Sequence, residues 1–442
     1  MDRRSFLNLT SREEVYVSPV LPARLTTGLK RYKGKWDEPA VTHLLRRTLF
    51  GARQEDIGHF HRKSLKKAIK HLLHTEEPQP DPPVNSYNDD KYTDEEIQPG
   101  QTWVNSVTIN GMNNYRRINS LKSWWIGQMI NQQPTLREKM VLFWHNHFAT
   151  ETNTIGNCVY SYRHNVLLRQ YALGNFKELV KAITLDAAML RYLNGFANTK
   201  KAPDENYGRE LQELFTMGKG PDSHYTEDDV KAAARVLTGY TLNNKTLVVS
   251  FDPKRHDEDN KQFSAFYGNR VIEGKKGDEG AKELDDLMDM IFAQEEVSKF
   301  ICRKLYRFFV YHNIDDSTEQ QVIVPLAAIL RKEKYEIKPV LEALFSSTHF
   351  FDAGNRGGMI KSPLDLTVGL IREFNIAFPP VTNYTGSYIF WEAIRYQASI
   401  FQQNIGDPPN VAGWQAYYQE PQYDKLWISS DTLPKRNQFT DR

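Results

Sequence analysis

The chain has 442 residues, with 57 Lys and Arg set against 55 Asp and Glu, so its formal charge is only +2. That balance excludes a protein that binds nucleic acid mainly by neutralising phosphates. A mean hydropathy of -0.60, and the lack of any run near the roughly 18 apolar residues of a spanning helix, exclude a helical transmembrane segment. Two cysteines, Cys158 and Cys302, rule out a disulfide framework or a cysteine-rich cluster and leave a large core to hold the fold.

At the start, Asp2-Arg3-Arg4-Ser5-Phe6-Leu7 resembles a twin-arginine export motif, but the sequel Asn8-Leu9-Thr10-Ser11-Arg12-Glu13-Glu14 is too polar for a signal core. Residues 1–39 are therefore expected to form an uncleaved polar arm on a cytoplasmic rather than exported protein. Length alone would allow two or three domains, yet no composition break divides the rest, and 40–442 reads as one helical domain. The basic stretch Arg62 to Lys70 reads as one solvated helix face. Between Thr75 and Gln101 the chain is rich in Pro, Asp, Glu and Asn, which predicts an exposed loop or lid, either functional or simply a solvated insertion.

From Pro134 onward helical signals dominate. Thr135 with Glu138 marks a start, and Leu136, Met140, Trp144 and His147 follow at helical spacing. Thr226 with Asp229 predicts a capping box, and Val230, Ala233, Ala234, Leu237 and Tyr240 trace one face behind it. Two further stripes run through Leu284, Leu287, Met288, Ile291 and through Val297, Phe300, Ile301, Lys304, Leu305, Phe308. Ser362 and Pro363 with Asp365 mark another start. The fold class is thus mainly α, a single large multi-helical domain. Thr246 to Phe251, and the segments around Gly268-Asn269, depart from this and predict a small antiparallel β-hairpin insertion within 246–273.

Three clusters could carry chemistry. His145-Asn146-His147 places two histidines at i and i+2, which on a helix lie about 200° apart and cannot share an ion. His147 falls on the apolar stripe, so the plain alternative is one packed histidine and one on the surface. The second cluster is Glu205 to Phe215. On a helical wheel Tyr207, Leu211, Leu214 and Phe215 form the buried face, Glu210 points inward, and Glu213 flanks it about 60° away. Two such acids could share a proton, a cation or an arginine, and a structural Glu–Arg network is the competing reading. The third is Asp252 to Lys261, where His256 and Asp257 could serve a cleft as ligand or base, against a solvated turn. No phosphate loop, dinucleotide fingerprint, Gly-x-Ser-x-Gly elbow or His-Glu-x-x-His is present, and both cysteines read as packed thiols.

Taken in order, the segments His43 to Gly51, Trp144 to Phe148, Asn206 to Gly218, Tyr225 to Gly239, His256-Asp257 with Lys261, and Pro408 to Trp414 resemble the bacterial family catalogued as domain of unknown function 1800. The likeness covers nearly the whole chain from His43. It implies a bacterial protein of a commonly exported family, often encoded beside a sulfatase-like protein that is a possible partner, and it favours one continuous helical domain. It carries no agreed catalytic residues.

The leading expectation is an enzyme with a carboxylate and histidine site. Glu210, Glu213, His256 and Asp257 are the catalytic candidates, and His147, Glu210 and Glu213 would hold a divalent metal ion that assists hydrolysis. The alternative is a non-catalytic helical binding or scaffold protein whose buried charges are structural. Its partner would be a small molecule, a carbohydrate or a protein, and not nucleic acid.

Overall fold

The computed structural model describes residues 27–414 and 423–441, so the twin-arginine-like start and most of the expected arm lie outside the described residues. Helices α1 (Glu38–Thr48), α2 (Gln54–His61) and α3 (Leu65–His74) precede the polar stretch, and α4 (Gly111–Ile130) and α5 (Arg137–His147) follow it. Next come α6 (Thr152–Ile155), α7 (Cys158–Gln170), α8 (Phe176–Thr184), α9 (Ala187–Tyr192), α10 (Asn206–Glu210) and α11 (Glu227–Val236). After the strands run α12 (Glu283–Phe292), α13 (Glu295–Phe309), α14 (Asp316–Thr318), α15 (Val324–Lys332), α16 (Ile337–Phe345), α17 (Pro363–Glu373), α18 (Tyr384–Ile400) and α19 (Thr432–Thr440). The protein is mainly α.

Helix starts follow local chemistry where a cap is at hand. Thr226 accepts from Asp229 N–H at 3.3 Å while Asp229 accepts from Thr226 N–H at 2.7 Å, the reciprocal box expected at α11. Ser362 accepts from Asp365 N–H at 3.1 Å with Pro363 as the first helical residue of α17. At α5 the local signal yields to tertiary partners. Thr135 donates to Glu77, Glu138 pairs with Arg169, and the helix begins at Arg137 with no side-chain cap.

The β region holds two hairpins where one was expected. Strand β2 (Val248–Phe251) pairs backward with β1 (Tyr240–Asn243), Tyr240 opposite Phe251, and β3 (Lys261–Gln262) pairs with β4 (Val271–Ile272), Lys261 opposite Ile272. Leu247 takes a left-handed φ of 56° in the first turn, and Ala265–Tyr267 is a 3-10 turn, so Phe263 to Phe266 does not extend as a strand.

One connected cluster of buried apolar side chains runs from Ala40 to Trp427. Within it α4 lies along α18, and the backbone of Gly127 sits so close to Trp391 that an added Cβ would stand 2.7 Å from the indole. On α3, Ala68, Ile69, Leu72 and Leu73 are buried while Lys66, Lys67 and Lys70 are exposed, the solvated basic face expected there.

The stretch 75–101 has little regular structure, but it is not a purely solvated loop. Asp94, with a fully buried side chain, takes both Nε (2.9 Å) and Nη2 (3.1 Å) of Arg117 on α4, itself fully buried. Asn85 is buried and donates to the Ile97 carbonyl at 2.7 Å, and Trp124 Nε1 donates to the Asp81 carbonyl at 2.7 Å. Polar groups enter the interior here because each has a partner, a form of burial that an apolar pattern does not register.

Candidate functional site

α10 ends at Glu210 and runs directly into a π turn, Leu211–Thr216. The backbone N–H of Met217 donates to the Gln212 carbonyl five residues back at 2.9 Å, the wider π spacing, and Thr216 Oγ1 donates to the Leu211 carbonyl at 2.6 Å. Tyr207, Leu211 and Phe215 are buried as the wheel predicts. Gly208 lets α10 approach α11, since a Cβ there would stand 3.2 Å from Val230 O and Ala234 N.

Glu210 is half-buried, and its Oε2 is buried with no hydrogen-bond partner among the described residues. Burial, and then the neighbouring Glu213, pushes its carboxyl up to about 7. Glu213 is held by Lys219 Nζ at 2.5 Å. Arg209 does not neutralise the pair because it is committed to Glu227 at 2.6 Å and Glu205 at 3.1 Å. Burial pushes the phenols of Tyr192 and Tyr225 up to about 12, helped at Tyr192 by Glu151 and then Glu210, and at Tyr225 by Glu213 and then Glu210. The arrangement sets a carboxyl that holds its proton near neutrality beside an ion-paired one, a division of labour that suits proton transfer.

His147 does not join the two acids. Lys304 Nζ donates to its Nδ1 at 3.0 Å, and its Nε2 donates to the Phe215 carbonyl of the π turn at 3.0 Å. Burial and the Lys304 ammonium hold the imidazole well below its ordinary range, and burial likewise drives Lys304 well down. Both ring nitrogens are engaged, so His147 supports the backbone carrying Glu213 and offers no lone pair to an ion.

His256 and Asp257 lie neither in a solvated turn nor in a cleft. His256 is fully buried, with Nδ1 3.0 Å from the Thr238 carbonyl and Nε2 3.1 Å from Glu283 Oε1. Lys261 Nζ donates to Glu283 Oε2 at 2.6 Å, and Arg235 grips Asp257 in a bidentate pair at 2.7 and 3.0 Å. Burial raises the Glu283 carboxyl, but bonds from His256, Lys261 and the Lys275 N–H outweigh it and hold the group below its ordinary value. This closed network fastens α11, β3 and α12 together. Among the described residues no group of three or more His, Cys, Asp or Glu is placed to hold a metal ion. Cys158 and Cys302 are free and buried, and burial pushes the Cys158 thiol up to about 11, so neither is poised as a nucleophile.

Sequence reasoning missed a second polar centre. His145, expected at the surface, is 3% exposed, because α5 is enclosed on every side and its charges are paired inward, Glu138 with Arg169 and Lys139 with Asp365. Its Nε2 has no partner among the described residues. Burial, and then His164, pushes it down to about 3, so the ring is neutral. On α7, His164 donates Nδ1–H to Asp186 at 2.8 Å, and its Nε2 is likewise without a partner among the described residues. The two rings lie 6.4 Å apart between centroids and line one internal cavity of about 20 Å³. Pro408 to Trp414 closes on the same region, with Trp414 N–H donating to Asn146 at 2.8 Å and its indole 5.6 Å from His145. No local spacing could have revealed this centre, since its members come from residues 122, 145, 164, 186 and 407.

The family model described as Protein of unknown function (DUF1800) matches residues 43–442. The chain therefore belongs to that family. Neither a curated protein nor a solved structure matches it. Among the described residues no helix is long and apolar enough to cross a membrane.

Proposed function

We propose that the protein is an enzyme that uses Glu210 as a proton donor and acceptor in a hydrolytic reaction, with burial and the neighbouring Glu213 together raising the affinity of Glu210 for its proton. The observation that carries this reading is the unpartnered, buried Oε2 of Glu210, whose carboxyl is pushed up to about 7. A carboxylate kept for structure alone would be expected to have a hydrogen-bond partner at such a cost of burial. Lys219, Tyr192 and Tyr225 would supply charge and hydrogen bonds to a polar substrate, for which a small molecule or a carbohydrate is the fitting class. A metal-assisted version would need ligands beyond the two acids, and His147 is occupied by Lys304 and Phe215.

The test is a screen of chromogenic ester, glycoside and phosphate substrates with the wild type, Glu210→Gln and Glu213→Gln. The expected result is turnover that is lost in Glu210→Gln and falls as pH rises through about 7, where the donor loses its proton. Undiminished activity in Glu210→Gln, or a flat profile between pH 6 and 8, overturns it. The fully bonded networks at His256 and at Arg117 favour a second reading, a helical scaffold whose buried charges lock elements together. No turnover by the wild type, together with unfolding of Glu210→Gln, would support that alternative.

A further inference from the structure

The chamber between α5 and α7 has four properties that converge on one kind of occupant. His145 and His164 are each 3% exposed, and each has an Nε2 with no partner among the described residues, lining the same cavity. Asp186 takes the Nδ1–H of His164 at 2.8 Å, a bond that fixes the imidazole tautomer and leaves Nε2 as a donor lone pair. The cavity, about 20 Å³, has room for a single atom or one water. Around it Asp186 and Asp407 are negative and Lys122, paired with Asp407, is positive, so the immediate charge is one short of balance.

We propose that this chamber is a binding site for one transition-metal ion of low coordination number, held between His145 Nε2 and His164 Nε2, with Cu(I) as the best-fitting ion. Two imidazoles facing each other across an ion at a nitrogen–metal distance of about 2 Å have ring centroids roughly 6 to 6.5 Å apart. The observed separation is 6.4 Å. Imidazole nitrogen suits copper and zinc, and a monovalent ion matches the missing unit of charge. Zn(II) prefers four ligands and would have to recruit oxygens from Thr150 and Asn165, which also line the cavity. Gly406 closes one side with a left-handed φ of 83°, where a Cβ would come within 3.0 Å of Lys122 Cε and narrow the space. The site is separate from Glu210, so the proposed hydrolytic reading and this one stand or fall independently.

The experiment loads the full chain anaerobically with Cu(I), and in a parallel arm with Zn(II), then dialyses against a competing chelator and measures retained metal per chain. The expected result is one copper ion per chain in the wild type, its loss in His145→Gln and in His164→Gln with far-UV circular dichroism preserved, and unchanged retention in Glu210→Gln. Asp186→Asn can keep the helix cap through its amide oxygen but removes the carboxylate behind His164, and it should lower affinity about 10- to 100-fold. X-ray absorption on the loaded wild type should give a first shell of two nitrogens, which decides the matter even where a histidine variant fails to fold. No retained metal, meaning an ordered water only, overturns the proposal. So does retention equal to wild type in both histidine variants, or a first shell dominated by sulfur or oxygen.

Discussion

The backbone N–H of Trp414 donates to Asn146 Oδ1 at 2.8 Å, joining residues 268 apart in the chain. The bond draws the Pro408 to Trp414 segment against the last turn of α5 and seats the indole against His145. Asn146→Ala is expected to leave a buried N–H unsatisfied and to cost about 1–3 kcal/mol in urea unfolding followed by tryptophan fluorescence. Trp414→Phe retains the N–H and should be milder. Equal losses in the two variants would show that ring packing, and not the bond, holds the segment.

Glu210 makes the protein's stability depend on pH with a defined sign. Its carboxyl rises from an ordinary 4.5 to about 7 on folding, so between those values the unfolded chain has lost the proton that the folded chain keeps. Its contribution is therefore fully present below pH 4.5, is lost as pH rises to about 7, and changes little above. Glu210→Gln cannot ionise. Its stability relative to wild type should climb from pH 5 to pH 8 in parallel urea titrations, and a constant difference between the two proteins would refute the assignment.

The Glu283 triad should respond in the opposite sense. Its carboxyl is held below the ordinary value, so its contribution is present above that value and is lost as pH falls through the lowered one. Glu283→Gln removes the charge that both Lys261 and His256 face in a fully buried setting. A loss of about 3–5 kcal/mol is expected at pH 7 by chemical unfolding. A loss below about 1 kcal/mol would mean that the network is structurally dispensable.

Gly127→Ala tests the seam between α4 and α18. The new Cβ would stand 2.7 Å from Trp391, which is only 5% exposed and cannot swing into solvent. Overpacking of this kind costs about 1–3 kcal/mol and should lower the Tm by about 1–3 °C in a chain of this length. Adding Trp391→Phe should recover part of the loss. If it recovers nothing, the strain lies elsewhere.

Much of the helical layout was legible because its signals are local. The box at Thr226 and Asp229, the start at Ser362 and Pro363, and the buried stripes of α12 and α13 each depend on residues within a few positions. The α13 stripe even included Lys304, whose place on an inward face makes sense only once its Nζ is seen on His147 Nδ1. The inward lean of Glu210 was legible from the wheel, but the π turn after it was not, since the wheel assumes a constant 3.6 residues per turn. His145 was misplaced because a helix enclosed on all sides has no outer face for its pattern to reveal.

A nearly neutral, cysteine-poor, mainly helical chain and the ends of several helices follow from composition and from interactions a few residues in range. Which charges and histidines are spent and which remain available depends on long-range packing. Arg117 with Asp94, and His256 with Glu283, are closed by partners 23 and 27 residues away, whereas Glu210 and the His145–His164 chamber keep buried atoms without partners among the described residues. The reason is physical. Whether a polar group can be buried is settled by what the fold brings to it, and a partner distant in the chain leaves no local trace.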